Sequence, residues 1–135
     1  MERLTLSGAH YQAMLADVRQ RTEEACGIIA GIEGRSRGLF VVPNELHSQT
    51  RFRMLAEEQI AAFLEMERLG WDMLAIYHSH PAGPNHPSET DLAEHAYPGV
   101  YSVIWYPEGD GWACRAYRII SGNAEQIDMV IVADE

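Results

Sequence analysis

Residues 73–91 read MLAIYHSHPAGPNHPSETD, and this stretch organises the chain. It begins with an apolar run typical of a buried strand. Successive side chains of a strand point to opposite faces, so we expect His78 and His80 on one face. By the same alternation, Leu74 and Ile76 are expected on the face of the two histidines. Two imidazoles placed in this way at the end of a strand can both reach one metal ion.

A proline-rich loop follows the histidines and leads to Ser88 and Asp91. Each proline fixes its own φ and restricts the preceding residue, which stiffens the loop. Two imidazole nitrogens and the Asp91 carboxylate make three protein ligands, and a fourth tetrahedral position stays open for water. An open position is typical of catalytic zinc, whereas structural zinc sites are closed by four protein ligands. The stretch therefore predicts a catalytic zinc site formed by His78, His80 and Asp91.

The same residues also have structural explanations. A His-x-His pair recurs by chance, and either imidazole can be a packed side chain. Ser88 with an acidic residue three positions later resembles a capping box, and Asp91 in the first turn of a helix also suits the helix dipole. A helix cap does not prevent Asp91 from binding a metal ion, so the two interpretations are compatible.

The composition is that of an ordinary globular protein. A length of 135 residues predicts a single domain, 1–135, large enough for one core without disulfides or metals. Hydrophobic residues make up 47% and charged residues 22%, values typical of soluble domains. A formal net charge of −10 argues against a nucleic-acid partner. The acidic surplus suits either a partner with a basic face or solubility alone.

No apolar run approaches the length of a membrane span, and the N-terminal residues lack the apolar core of a signal peptide. We therefore predict a cytoplasmic protein with no membrane partner. Cys26 and Cys114 lie in apolar, strand-like surroundings. Small buried thiols are expected there, with a disulfide as the alternative. The sequence leaves the oligomeric state open.

Hydrophobic periodicity predicts an α/β domain in which helices pack on a mixed sheet. Ser7 is expected to cap a first helix, a second covers 54–70 and stops at Gly70, and a short third covers 89–95. Residues 44–53 are polar and fit no element. The predicted strands are 2–6, 26–32, 38–43, the run that begins at Met73, 100–106, 112–120 and 126–132. The apolar face predicted for the second helix consists of Leu55, Ile60, Phe63 and Leu64.

Two segments together resemble the JAMM (MPN+) zinc metallopeptidases, in particular the short stand-alone prokaryotic members. HSHPAGPNHPSETD (78–91) matches the signature His-x-His, seven residues, Ser-x-x-Asp. EACGIIAG (24–31) resembles the segment in which a glutamate precedes Cys-Gly by one residue and opens a buried strand. The resemblance implies the MPN fold, a cytidine-deaminase-like α/β domain in which helices flank a curved mixed sheet.

The resemblance also implies a role for each matching residue. His78, His80 and Asp91 would bind one zinc ion. Glu24 would act as general acid and base, and the Ser88 hydroxyl would help to hold the tetrahedral intermediate.

Two positions next to the glutamate need separate comment. Thr22 stands where the family often has proline, two residues before the glutamate. Glu23 is a neighbouring carboxylate, but adjacent strand residues face opposite ways, so only one of the pair can face the site. Glu24 has the family spacing, and we expect Glu23 to be solvated. By analogy with the family, Asn44 and residues 48–54 are expected to flank the substrate channel.

The implied activity is hydrolysis of the bond after the C-terminal glycine of a ubiquitin-like or sulfur-carrier protein, whose tail would be the partner. A catalytically silent MPN scaffold is one alternative, although such proteins typically lack metal ligands. A zinc hydrolase of a small molecule is the other. Deaminases of related fold take ligands from Cys-x-x-Cys, and this chain has no such motif.

Overall fold

A computed structural model describes residues 2–134 of the chain. The first and last residues of the predicted 1–135 domain lie outside the described residues. Within residues 2–134 the chain forms seven strands and three helices. In order, they are β1 (Arg3–Ser7), α1 (Gly8–Gln20), β2 (Cys26–Ile32), β3 (Arg35–Val42), α2 (Ala56–Leu69), β4 (Asp72–Ser79), α3 (Glu89–Glu94), β5 (Tyr101–Glu108), β6 (Gly111–Ile120) and β7 (Asn123–Val132).

The strands form one mixed sheet that curves until its two edges meet. The strand order is β1-β3-β2-β4-β5-β6-β7, and β7 returns to pair with β1 in parallel. On the other side, β1 pairs with β3 at one position, Thr5 opposite Arg35, and the Ser7 N–H donates to the Ser36 hydroxyl at 2.9 Å. β4 and β5 are parallel neighbours, joined by a crossover that contains α3. The predicted α/β fold with a curved mixed sheet flanked by helices is confirmed.

The central strand β2 is buried on both faces because a helix covers each side of it. α1 contributes Met14 and Val18 to a cluster that also contains Ile29 and Trp105. α2 contributes Ala62 and Met66 to a second cluster that contains Ile28 and Ala30. Consecutive residues of β2 thus enter opposite layers, as the alternation of a strand requires.

The predicted elements are all present, and several of their ends are confirmed. The Ser7 hydroxyl accepts a hydrogen bond from the His10 N–H at 3.2 Å and caps α1. Gly70 ends α2 in the left-handed conformation, with φ 71°. α2 begins later than predicted because Met54 pairs with Asn44 in an isolated β-bridge. β3 and β7 begin earlier than predicted because backbone pairing continues through polar residues that face solvent.

One expectation about side-chain direction is wrong. The pairing of β2 with β4 shifts where Ile29 faces Ala75 and Ala30 faces Met73. Leu74 is left between those pairs as a bulge residue, so it packs in the α1 layer rather than on the face of His78.

In α2, the apolar face predicted from periodicity is only partly buried. Ile60 and Leu64 are 57% and 62% exposed, because the helix contacts the sheet through a narrow edge that includes Ala62 and Met66.

Both cysteines are free thiols. Burial raises the pKa of Cys26 and of Cys114 to about 12. The expectation of buried thiols is confirmed for Cys26, and Cys114 is half-buried. None of the helices within residues 2–134 combines the length and the apolar character needed to cross a lipid bilayer.

Candidate metal centre

The register between β2 and β4 brings the predicted glutamate to the predicted histidines. Cys26 lies directly opposite His78 in this antiparallel pair. Glu24 lies two residues before Cys26 and His80 two residues after His78, so the two occupy facing positions on the same side of the sheet. Ligand atoms of Glu24, His78 and His80 lie within 4.8 Å of one another, and all three residues are buried.

The cap of α3 brings Asp91 into the same cluster. The Ser88 N–H donates to Asp91 Oδ2 at 2.8 Å, and the Asp91 N–H donates to Ser88 Oγ at 3.0 Å. This is the predicted capping box. The same Oδ2 lies 3.1 Å from His78 Nε2 and 3.0 Å from His80 Nε2. The cap therefore holds the carboxylate against both imidazoles.

The three donor atoms have the spacing of a metal cage. The Nε2 atoms of His78 and His80 are 3.1 Å apart, which completes a nearly equilateral triangle with Asp91 Oδ2. Bonds of about 2.0–2.1 Å from zinc to tetrahedral ligands place those ligands about 3.3 Å from one another. The triangle is within a few tenths of an ångström of that value. Its size is therefore suited to a small metal ion with an open fourth position.

Hydrogen bonding fixes the direction of one imidazole lone pair. His80 Nδ1 lies 2.8 Å from the Pro84 carbonyl oxygen, which can only accept a hydrogen bond. Nδ1 must therefore carry the proton in neutral His80, and Nε2 presents its lone pair to the centre of the triangle. Phe52 stacks on the other imidazole, that of His78, with ring centroids 4.5 Å apart and planes 22° apart.

The surroundings also set the charge of the ligands. Burial acts to raise the pKa of Asp91, but the contacts with His78 and His80 outweigh burial and hold it well below its usual range. Burial lowers the pKa of His78. For His80, burial also lowers the pKa, but Asp91 and the Pro84 carbonyl reverse the net shift and raise it. An ionised Asp91 and a neutral His78 are the protonation states that bind a metal.

Glu24 offers a carboxylate that its surroundings leave free. Its Oε1 atom is buried and forms no hydrogen bond to any other residue of the 2–134 range. Burial raises the pKa of Glu24 to about 8, with His80 acting in the opposite direction. The neighbouring Glu23 faces away and lies 2.9 Å from the His47 ring. The two carboxylates thus lie in different surroundings, as expected from the sequence, and both precede the start of β2 at Cys26.

The backbone around Glu24 is held by side chains that sequence reasoning missed or named only by analogy. The Ser79 hydroxyl accepts from the Ala25 N–H at 2.8 Å. Asn44 Nδ2 donates to the Glu24 carbonyl at 3.1 Å. The Asn44 Oδ1 atom also accepts from two N–H groups of the 44–54 loop. Ser79 could have been found from alternation, since the middle residue of His-x-His must face away from the two imidazoles.

A cavity of about 200 Å³ opens beside the cluster. His78 and Asp91 line it, so the cavity reaches the cluster through these two residues. Arg51 is at its edge, paired with Glu94 of α3 at 2.8 Å. Its other walls are largely apolar, with Phe52, Met54, Ile76, Tyr97, Tyr101 and Ile119. Residues 51–54 thus lie beside the cluster, within the segment expected to flank a channel.

The family model described as prokaryotic homologs of the JAB domain matches residues 7–121. The chain belongs to this family. The matched range contains both motifs of the candidate site, the segment that begins at Glu24 and the segment that ends at Asp91. Membership confirms the resemblance that the two motifs indicated.

Two relatives of known activity are similar to this prokaryotic JAB chain. It is 34% identical over 124 residues to the CysO-cysteine peptidase of Mycobacterium tuberculosis, an alignment that covers 89% of this chain and 85% of the relative. It is 37% identical over 117 residues to the desampylase of Pyrococcus furiosus, covering 84% of this chain and 80% of the relative.

Solved structures show the same fold. A protein of Desulfitobacterium hafniense superposes with a TM-score of 0.86 at 28% identity, over 97% of this chain and 94% of the other. A JAB1/MPN domain protein from Archaeoglobus fulgidus superposes with a TM-score of 0.62 at 18% identity, over 96% and 99% of the two chains. The predicted MPN fold is confirmed.

Proposed function

We propose that this prokaryotic JAB chain is a zinc-dependent hydrolase that cleaves the bond after the C-terminal glycine of a ubiquitin-like or sulfur-carrier protein. The proposal is supported chiefly by one observation, the convergence of Asp91 and the two histidines, with a Glu24 carboxylate oxygen within 4.8 Å of ligand atoms of both histidines. The relatives support the substrate class, since they are named as a CysO-cysteine peptidase, a desampylase and, in Thermus thermophilus, a probable protease that cleaves TtuB-protein conjugates.

In the proposed site His78, His80 and Asp91 hold one zinc ion. Bound zinc would lower the pKa of its water ligand towards about 7 and polarise the scissile carbonyl. Glu24 accepts the proton of the attacking water and passes it to the departing amine. Its free Oε1 atom and a pKa raised by burial to about 8 suit a group that both takes and returns a proton near neutral pH.

The Ser88 hydroxyl donates a hydrogen bond to the carbonyl oxygen of the substrate. Its Oγ atom accepts the hydrogen bond from the Asp91 N–H, so its own O–H stays available as a donor. That donation strengthens as the carbonyl oxygen gains negative charge, and it therefore favours the transition state over the bound substrate.

The position of Glu24 determines which side of the scissile bond lies next to it. The group that protonates the leaving amine must lie on the side of that amine, so the amine departs on the Glu24 side. The cavity lined by His78 and Asp91 would hold the acyl portion, the tail that ends in glycine. Its apolar walls suit an extended tail with an apolar side chain before the glycine.

The experiment is to incubate the purified, zinc-loaded chain with a panel of ubiquitin-like and sulfur-carrier proteins, each with a C-terminal extension, and to weigh the products. We expect one or more members to lose the extension after the terminal glycine. Stoichiometric zinc with no cleavage of any member would refute the proposal and favour a scaffold that only binds partners.

A further inference from the structure

The proline-rich loop of residues 81–87 has few ways to hold its own shape. Its sequence, PAGPNHP, contains three prolines, which have no backbone N–H to donate. Within residues 2–134, one hydrogen bond reaches this loop from another element of the fold. The Tyr117 hydroxyl of β6 donates to the Asn85 carbonyl at 2.7 Å. The other hydrogen bonds of the loop stay within residues 80–87, so Tyr117 is its external support.

Strand register places Tyr117 on the sheet face that carries His78. Ile76 lies opposite Ser102 where β4 pairs with β5, and Ser102 lies opposite Tyr117 where β5 pairs with β6. Residues directly opposite each other in neighbouring strands share a face of the sheet. His78 lies two residues after Ile76 in the same strand, so it shares that face too. Tyr117 is only 6% exposed, and its buried ring therefore presents the hydroxyl as a fixed donor.

The carbonyl that Tyr117 holds is adjacent to the carbonyl that sets the tautomer of His80. Asn85 follows Pro84, whose carbonyl oxygen lies 2.8 Å from His80 Nδ1 and keeps the proton on that nitrogen. The other imidazole of the donor triangle has no such support. His78 Nδ1 is buried and forms no hydrogen bond to any residue of the 2–134 range. The conformation of the loop thus fixes the tautomer of one of the two imidazoles, that of His80.

We infer that Tyr117 is a positioning residue for the metal site. Its hydroxyl holds the Asn85 carbonyl, the loop then keeps the Pro84 carbonyl against His80 Nδ1, and His80 Nε2 keeps its lone pair for the metal. The inference rests on the proposed function, since that function assigns His80 as a zinc ligand. It adds that zinc affinity depends on a tyrosine hydroxyl of β6 that lies outside the ligand set.

The test removes the hydroxyl and keeps the ring. Tyr117→Phe loses the hydrogen bond to the loop. Tyr106→Phe is the matched control, because that tyrosine is 7% exposed and its hydroxyl accepts from Arg115 Nε at 3.2 Å instead. The first readout is ¹⁵N NMR of the histidine rings in metal-free protein, at a pH that keeps them neutral, with the His80 signals assigned by their loss in His80→Ala. The second is the zinc dissociation constant, measured by competition with a chelator.

We expect wild type and Tyr106→Phe to keep the His80 proton on Nδ1 and to bind zinc with equal affinity. Tyr117→Phe should show signals of both His80 tautomers and raise the zinc Kd by about tenfold, the lower end of the range for groups that orient metal ligands. A wild-type tautomer or Kd in Tyr117→Phe, or equal changes in both variants, would overturn the role of Tyr117 while leaving the hydrolase proposal in place. If the wild-type chain binds no zinc, the proposed function fails, and the His80 tautomer alone decides the role of Tyr117.

Discussion

Replacing Glu24 by glutamine removes the proposed proton acceptor while keeping the size and shape of the side chain. The contacts that position this residue use its backbone, with the N–H bonded to the Ser48 carbonyl at 2.8 Å and the carbonyl bonded to Asn44 at 3.1 Å. The Oε1 atom has no partner within residues 2–134 that the change could remove. We therefore expect the free energy of unfolding to change by no more than about 1 kcal/mol.

The loss should appear in the chemical step. Proton transfer by a positioned side chain commonly contributes about 10²–10⁴ in rate, so kcat should fall by that factor, or about 2.7–5.4 kcal/mol in activation free energy. Zinc content should not change, because the closely spaced donor triangle consists of His78, His80 and Asp91. His80→Ala, by contrast, should lose both zinc and activity.

The assay is single-turnover cleavage of an extended ubiquitin-like or sulfur-carrier protein, followed by intact mass, with zinc measured in the same sample. Glu23→Gln is the matched control, since that carboxylate faces His47 rather than the cluster, and it should retain wild-type turnover. Turnover in zinc-loaded Glu24→Gln within about threefold of wild type, well short of the expected loss, would remove Glu24 from the mechanism.

Two further substitutions test the neighbouring groups. Ser88→Ala should lower kcat by about 10²–10³ with little change in KM. It should also destabilise the short helix by about 1 kcal/mol, because the helix cap is lost. An unchanged kcat in steady-state assays would exclude the hydroxyl from oxyanion stabilisation. Gly27→Ala should lower the free energy of unfolding by about 1–3 kcal/mol in urea titrations, because a Cβ there would overlap the Tyr77 ring and the Phe40 carbonyl. A wild-type free energy of unfolding would show that the two neighbours move aside freely.

Much of the candidate metal site could be predicted because its geometry is local or follows from the pairing of β2 with β4. The spacing from His78 to Asp91 lies within one strand, one loop and one helix cap. Glu24 is distant in sequence, but it lies next to a strand whose residue Cys26 faces His78. Family resemblance identified Glu24 rather than Glu23, and in the structure Glu23 lies beside His47 while Glu24 lies beside the two histidines.

The sequence could not predict features that depend on how elements meet. The 44–54 loop has no periodicity, because its backbone is organised by the Asn44 side chain rather than by a helix or strand ladder. The stacking of Phe52 on His78 could therefore not be predicted from the sequence. The exposure of Ile60 and Leu64 was missed for a related reason. Periodicity identifies an apolar face, but the width of the contact with the sheet decides how much of that face is buried.

Zinc K-edge X-ray absorption, combined with elemental analysis of zinc-loaded protein, measures the proposed ligand set directly. We expect one zinc per chain, with nitrogen and oxygen ligands at about 2.0–2.1 Å, imidazole scattering from His78 and His80, and loss of the bound ion in His80→Ala. Failure to take up zinc stoichiometrically, or a bound ion without imidazole scattering, would contradict the assignment of His78, His80 and Asp91 as a metal centre.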